Sequence, residues 1–220
     1  MDAERVSHPI FARLYARVSP KMDAGGAAEY RERLLAGLAG SVIEVGAGNG
    51  LNFAHYPPEV TRVLAVEPES HLRGLAERAA TQAPVPVEVV AGVAGQLPAG
   101  DGSVDAAVVS LVLCSVPDQL RALAEVHRVV KPGGQLRFFE HVRSETAPLG
   151  RVQRTWDATI GPRITGGCHA HRDTVAAIAA AGFRIESIER FRFPDLRIHL
   201  PTSPHVLGAA TRAGAAGGRS

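Results

Sequence analysis

Three glycines at alternate positions, Gly46, Gly48 and Gly50, stand in the run Glu44-Val45-Gly46-Ala47-Gly48-Asn49-Gly50. Glycines so placed let the backbone turn tightly and let a ligand approach main-chain atoms with no Cβ in the way. The spacing is G-x-G-x-G rather than the G-x-G-x-x-G of dinucleotide sites, and no G-x-x-x-x-G-K-S/T phosphate loop occurs. The loop therefore suits a nucleoside ligand without phosphates, held by backbone groups and carboxylates. Glu67 follows Gly46 by 21 residues, where an acid that accepts hydrogen bonds from both ribose hydroxyls belongs in a strand-turn-helix unit; its charge would repel a 2′-phosphate. A plain tight turn at the glycines and a helix-capping acid at Glu67 are the structural alternatives. Glu44 sits on an apolar segment, so it needs a partner, either in the loop or in a cationic group of the ligand.

Further along, His141 follows an apolar run directly in Glu140-His141-Val142. Carboxyl ends of parallel strands are where ligands bind. His141 is the leading candidate for an acid-base group beside the reacting atoms, with a loop-fastening histidine as the other reading. Cys114 reads as a small buried hydrophobe rather than a nucleophile. His169, His171, Arg172 and Asp173 fall in GGCHAHRDT and could line an acceptor pocket, though a capped helix start explains Asp173 equally well. The chain's two cysteines, Cys114 and Cys168, cannot build a disulfide framework. No Cys/His group has the close spacing of a zinc site, and the His169/His171 pair is isolated, so no metal is expected.

These residues need elements to hold them. Short apolar runs at Ser41 to Val45, Thr61 to Val66, Val85 to Val90, Val104 to Leu113 and Gln135 to Glu140 read as strands, with Val104 to Leu113 the central one. A helix is expected from near Leu51, others over Glu69 to Ala80 and Asp118 to Val130. In the last, Leu120, Leu123, Val126 and Val130 share a face, Asp118 is the N-cap and Lys131-Pro132-Gly133-Gly134 the stop. Residues 144 to 170 read as an insertion, followed by a helix over Asp173 to Ala181, an alternating strand over Phe183 to Phe191, and a last, edge-side strand in SPHVLGAATR. The expected fold is α/β, a doubly wound, mostly parallel seven-stranded sheet with an antiparallel edge hairpin.

The chain has 220 residues, 45% hydrophobic and 21% charged, with a net charge of +2, the proportions of a globular protein of one domain. Its arginines are scattered and only 5% of residues are aromatic, which argues against a nucleic-acid surface. No apolar run is long enough to span a bilayer, and Asp2, Glu4 and Arg5 stand where a signal peptide would be apolar. A soluble, cytoplasmic protein is expected, its partner a small-molecule substrate; the oligomeric state is not legible.

EVGAGNG, then VEP, then the apolar fourth strand and KPGG before the fifth, resembles a class I S-adenosylmethionine-dependent methyltransferase over about residues 41 to 142. More narrowly, HPIFARLY, SLVLCSVPD, FFEHVR and GGCHAHRDT resemble the methyltransferase-like group that includes the mammalian thiol methyltransferases. The resemblance implies S-adenosylmethionine as cofactor and S-adenosylhomocysteine as product. It passes Gly46, Ala47, Gly48 and Gly50 beneath the methionine and ribose portions. Glu67 would hold the ribose, Pro68 would lie on the adenine, and backbone of Val93 and Ala94 would stand in for the acid that often meets the adenine amino group. Ser110 to Ser115, with Ser110, Leu111 and Cys114 foremost, would lie beside the methionine portion and the transferred methyl, with Glu44, Asn49 and Asn52 at the cofactor's polar ends.

The segment His8 to Met22 reads as an amphipathic helix with Ile10, Phe11, Leu14 and Val18 near one face. In the resembling enzymes such a helix is a lid, which would put Tyr15 and Phe11 over the sulfonium; a helix merely packed on the sheet fits the pattern as well. A single domain of residues 1–220 is expected, with a lid over 1–40, a cofactor core over 41–142, an acceptor-side insertion over 143–171, and a C-terminal helix and edge strands over 172–212. Methyl transfer to a small thiol is the expected activity, His141 assisting and Phe11, His169 and Arg172 meeting the acceptor. Methylation at carbon, nitrogen or oxygen of a lipid, quinone-type ring or natural product is the first alternative, and a non-catalytic cofactor-binding module the second.

Overall fold

Residues 9–194 and 200–214 are described in the computed structural model of this chain. The chain opens with helices α1 (Pro9–Met22) and α2 (Ala28–Leu35), separated by a kink at Gly26 whose φ is +113°. Then come β1 (Gly40–Val45), β2 (Val60–Val66), α3 (Ser70–Ala80), β3 (Val87–Val90), β4 (Val104–Ser110), α4 (Gln119–Val129) and β5 (Val130–His141). Helices α5 (Ala147–Ala158), α6 (Gly161–Ile164) and α7 (Thr174–Ala180) precede β6 (Phe183–Arg192) and β7 (Pro204–Arg212). One seven-stranded sheet results, in the order β3-β2-β1-β4-β5-β7-β6. The first five strands are parallel, and β7 pairs antiparallel with both β5 and β6.

The parallel strands are mostly apolar because helices cover both faces. Ile43, Val45, Ala107 and Val109 pack with Leu123 and Val126 of α4 on one side. Val42, Ala106 and Val108 pack with Leu34 and Leu35 of α2 on the other. Three helices begin as side-chain chemistry dictates. The carboxylates of Glu69, Asp118 and Asp173 accept hydrogen bonds from the backbone N–H of Leu72, Arg121 and Ala176.

The sheet is the expected one, but several details differ. The SPHVLGAATR segment forms β7, which lies inside the sheet, and the edge belongs to β6. Size and charge explain the exchange. A Cβ on Gly208 of β7 would come within 2.4 Å of the Phe138 ring and 2.5 Å of the Ser187 carbonyl oxygen, so only a bare backbone fits between its neighbours. Strand β6 instead carries Arg184, Glu186, Glu189 and Arg190, the charged pattern that blunts a sheet edge. No helix starts at Leu51; the chain makes a single turn at Phe53–His55, because Asn52 turns its side chain inward to Glu44. Strand β5 starts at Val130, directly after α4, so the Lys131-Pro132-Gly133-Gly134 stop lies within the strand. Leu120 is exposed, and Ala122 and Val129 complete the buried face of α4. The segment expected as an irregular insertion is largely helical, in α5 and α6.

On α1 the helical stripe is rotated from expectation. Ile10, Leu14 and Val18 are 83%, 54% and 40% exposed, while Ala12 and Ser19 are buried. His8 lies outside the described residues. Among the described residues no helix is long and apolar enough to cross a membrane.

Candidate active site

The turns after β1, β2 and β4 meet at the carboxyl ends of those strands and enclose a cleft of about 570 Å³, within the range of small-molecule sites. Gly46 and Gly48 take φ of +69° and +58°, a conformation that favours glycine. The three glycines nonetheless do different work. A Cβ on Gly46 would meet Val112 at 2.5 Å, and one on Gly50 would meet Ala79 and Phe53 at 2.8 Å, so both positions serve close packing. Gly46 and Gly48 both line the cleft, but only Gly48 has room for a Cβ, with Tyr15 of α1 3.4 Å from where it would stand.

Glu67 closes the end of β2 at the cleft wall. Its Oε2 accepts from the Gly48 N–H at 2.8 Å and its Oε1 from the Glu69 N–H at 2.9 Å. Each carboxylate oxygen has a second lone pair left for a ligand hydroxyl. Burial raises the Glu67 carboxyl above its ordinary range, against the two N–H donors that lower it. Pro68, Leu72, Val93 and Ala94 supply an apolar wall beside it. At the end of β4 the Ser110 hydroxyl is buried and finds no hydrogen-bond partner. Ser110 and Leu111 both line the cleft, and Leu111 holds a φ of +60°. A buried orphan hydroxyl in a cleft wall calls for a polar ligand atom.

The structure thus brings together Phe11, Tyr15, Gly46, Gly48, Glu67, Pro68, Val93, Ala94, Ser110 and Leu111 around one space. It places other expected site residues elsewhere. Glu44 and Asn52 do not line the cleft; they form a buried chain behind it. Asn52 donates to Glu44 Oε1 at 2.8 Å, the Tyr56 hydroxyl donates to Glu44 Oε2 at 2.7 Å, and Arg31 donates to Asn52 Oδ1 at 2.8 Å and to Asp23 at 2.7 Å. Glu44 therefore finds its partners within the protein and anchors α2 to β1. Asn49 reaches away to the Ser19 hydroxyl at 3.0 Å, fastening α1 to the glycine turn. Ala47 and Gly50 are buried in packing.

Burial lifts the Glu44 carboxyl to about 7, outweighing the Tyr56 and Asn52 hydrogen bonds. A carboxyl raised in the fold contributes stability that is fully present below its unfolded pKa and lost as pH rises through the folded value. Glu44→Gln should remove this dependence. The stability difference between wild type and variant is expected to shift by about 3 kcal/mol in the variant's favour between pH 4.5 and 7, measured by urea unfolding at a series of pH values.

His141, Cys114, His169 and Arg172 also lie outside the cleft lining. Arg172 Nη1 donates to two carbonyls of the loop after β4, Leu113 and Val116, each at 2.7 Å, and its Nη2 lies 3.5 Å from His169 Nδ1. His169 donates its backbone N–H to the Cys114 carbonyl at 2.8 Å. These two residues therefore hold the cleft wall rather than face an acceptor. His141 Nδ1 lies 3.4 Å from Cys114 Sγ and 3.3 Å from Cys168 Sγ, and its ring packs on His205 at 4.5 Å. Desolvation alone would lower His141, but the Cys168 contact and the Glu140 charge raise it. Burial lowers His205 to about 3, with His141 adding to the effect. No spacing pattern in the sequence announces this thiol-imidazole group, and the expectation of no metal-ligand cluster was drawn from spacing alone.

Sequence reasoning missed Glu140. Fully buried at the end of β5, it accepts from the N–H groups of Val112, Leu113 and Cys114 at 2.8, 2.9 and 3.1 Å. It shapes the loop that walls the cleft. The signal that singled out Glu44, an acid on an apolar strand, was equally present there. Cleft residues Glu69, Leu72, Arg121 and Gly166 were missed as well, because no motif marks them out.

Comparison with known proteins gives the cleft its context. Residues 43–138 match the family described as a methyltransferase domain. Human thiol S-methyltransferase TMT1B is 35% identical over 215 residues, covering 92% of this chain and 86% of that protein. Human thiol S-methyltransferase TMT1A is 35% identical over 180 residues, covering 78% of this chain and 70% of that one. Among solved structures, a SAM-dependent methyltransferase of Thermotoga maritima superposes with a TM-score of 0.67 at 22% identity, over 92% of this chain and 98% of the other.

Proposed function

The chain belongs to the S-adenosylmethionine-dependent methyltransferase family that includes the human thiol S-methyltransferases, and from that premise we propose that it methylates the sulfur of a small-molecule thiol. The cleft fits the cofactor on its own chemistry. Gly48 leaves bare backbone, Glu67 keeps acceptor capacity for ribose hydroxyls, Ser110 has an unused hydroxyl, and Pro68, Leu72, Val93 and Ala94 offer apolar surface to a base. When bound, S-adenosylmethionine supplies a methyl group on a cationic sulfur.

One observation carries the choice of a thiol. The three carboxylates that line the cleft, those of Glu67, Glu69 and Asp118, all accept backbone hydrogen bonds, and no histidine lines it among the described residues. No imidazole base is thus on hand at the cleft wall among the described residues. A thiol, with an ordinary pKa near 8.5, is a few per cent thiolate at neutral pH without one, whereas a hydroxyl or carbon acid is not. The residues then need mainly to hold two reactants collinear and exclude water, an effect worth up to roughly 7–11 kcal/mol. In this reading Phe11 and Tyr15 of α1 cover the cleft as a lid, and the loop after β4 with the turn at Gly166 forms the acceptor side.

The test is transfer of labelled methyl to a panel of alkyl and aryl thiols, amines, phenols and quinols. Thiols are expected to exceed the rest by about 100-fold in kcat/KM, since the cleft offers the others no imidazole base. Turnover on rings or amines without turnover on thiols would overturn the thiol reading. Cofactor binding with no turnover on any acceptor would leave a binding module.

A further inference from the structure

Three soft donors converge just behind the acceptor side of the cleft. Cys114 lies in the loop after β4, His141 ends β5, and Cys168 lies between α6 and α7; each is 27 residues from the next in sequence. Their ligand atoms all fall within 4.8 Å of one another. Both sulfurs approach the same ring nitrogen, Nδ1, at 3.4 and 3.3 Å. A ring nitrogen has one lone pair or one N–H and can serve only one of two such partners well. A cation placed among the three satisfies all of them. With Zn–S near 2.3 Å and Zn–N near 2.0 Å, tetrahedral geometry sets sulfur and nitrogen about 3.5 Å apart, close to the spacing already present.

The group is held in place before any ion arrives. Both cysteines are buried. Glu140 fixes the backbone at Cys114, the His169 N–H binds the Cys114 carbonyl, and Asp157 accepts from the N–H groups of Ala170 and His171 just beyond Cys168. The donors also lie next to the reaction space, since Ser115, adjacent to Cys114, and Gly166, two residues before Cys168, both line the cleft.

We propose that Cys114, His141 and Cys168 form a zinc site whose fourth position, open towards the cleft, takes the sulfur of the acceptor thiol. This rests on the thiol reading above and adds to it the means of activating the acceptor. Two cysteines and a histidine with one open position is a ligand set of catalytic zinc, and thiolate donors favour zinc over harder cations. On binding zinc the thiol loses its proton to solvent and becomes a thiolate at neutral pH. Its sulfur lone pair forms the new bond to the methyl carbon. The bond from that carbon to the cofactor sulfur breaks, its electron pair staying on that sulfur, and the neutral thioether leaves the metal more readily than a thiolate.

The chain, reduced and stripped of metal with a chelator, is titrated with Co²⁺ alone, a coloured stand-in for zinc. One equivalent is expected to bind with sulfur-to-cobalt charge-transfer absorption, to be displaced by Zn²⁺, and to shift its spectrum when a small thiol is added. Cys168→Ser should lose the charge-transfer intensity of one thiolate, with circular dichroism reporting that it remains folded. Absence of those bands in the wild-type chain, or a spectrum indifferent to added thiol, would overturn the proposal. So would undiminished thiol methylation by the metal-free chain. The spectra need no turnover, so failure of the metal site and failure of the thiol reading are seen separately.

Discussion

Glu140→Ala is expected to cost about 3–5 kcal/mol of folding stability, seen as a lower urea midpoint with an unchanged slope. The Glu140 side chain is fully buried and is the acceptor for three consecutive backbone N–H groups, at Val112, Leu113 and Cys114. Removing it leaves all three donors without that acceptor, and an unsatisfied buried donor costs about 1–3 kcal/mol each, in part recovered if water enters. Burial raises the Glu140 carboxyl to about 7 in spite of those donors. Glu140→Gln should fall between wild type and alanine, since an amide keeps one accepting oxygen and sets an N–H₂ against the remaining donors. A loss below about 1 kcal/mol for alanine, the worth of a single ordinary hydrogen bond, would show that the loop holds its shape without this carboxylate.

Gly48→Val is expected to weaken cofactor binding at least about 100-fold, equivalent to about 3 kcal/mol, while leaving the fold intact. Gly48 takes a φ of +58°, and a β-branched residue there is strained by about 1–2 kcal/mol or more. Its side chain would also fill the one open place in the glycine turn, against Tyr15, and disturb the N–H that orients Glu67. Gly46→Val and Gly50→Val should instead lower stability, because their added atoms collide with Val112, or with Ala79 and Phe53. Thermal unfolding separates the two outcomes, and unaltered affinity in Gly48→Val would detach the glycine turn from cofactor binding.

The parallel half of the sheet was legible because each of its strands is a short run rich in apolar, β-branched residues, and strand ends locate the site in this architecture. Gly48 and Glu67 were found on that basis, whereas Pro68, Ser110 and Leu111 came from the resemblance to methyltransferases. Local signals misled wherever tertiary contacts decide. Asn52 could as well start a helix as fill Glu44's need for a donor, and the structure takes the second course. The placement of β7 inside the sheet depends on Gly208 meeting Phe138 and Ser187, a fit visible only once three strands are side by side. His169 and Arg172 look like acceptor contacts by type, yet they hold backbone of the loop around Cys114. The grouping of Cys114, His141 and Cys168 joins two loops and the end of β5 and leaves no trace in local spacing.

Calorimetric titration of the wild-type chain with S-adenosylhomocysteine tests the central claim most directly. A cleft built around Gly48, Glu67 and Ser110 predicts saturable binding at one site per chain, lost in Gly48→Val and undisturbed by excess NAD. No heat of binding, or displacement of the ligand by NAD, would contradict it.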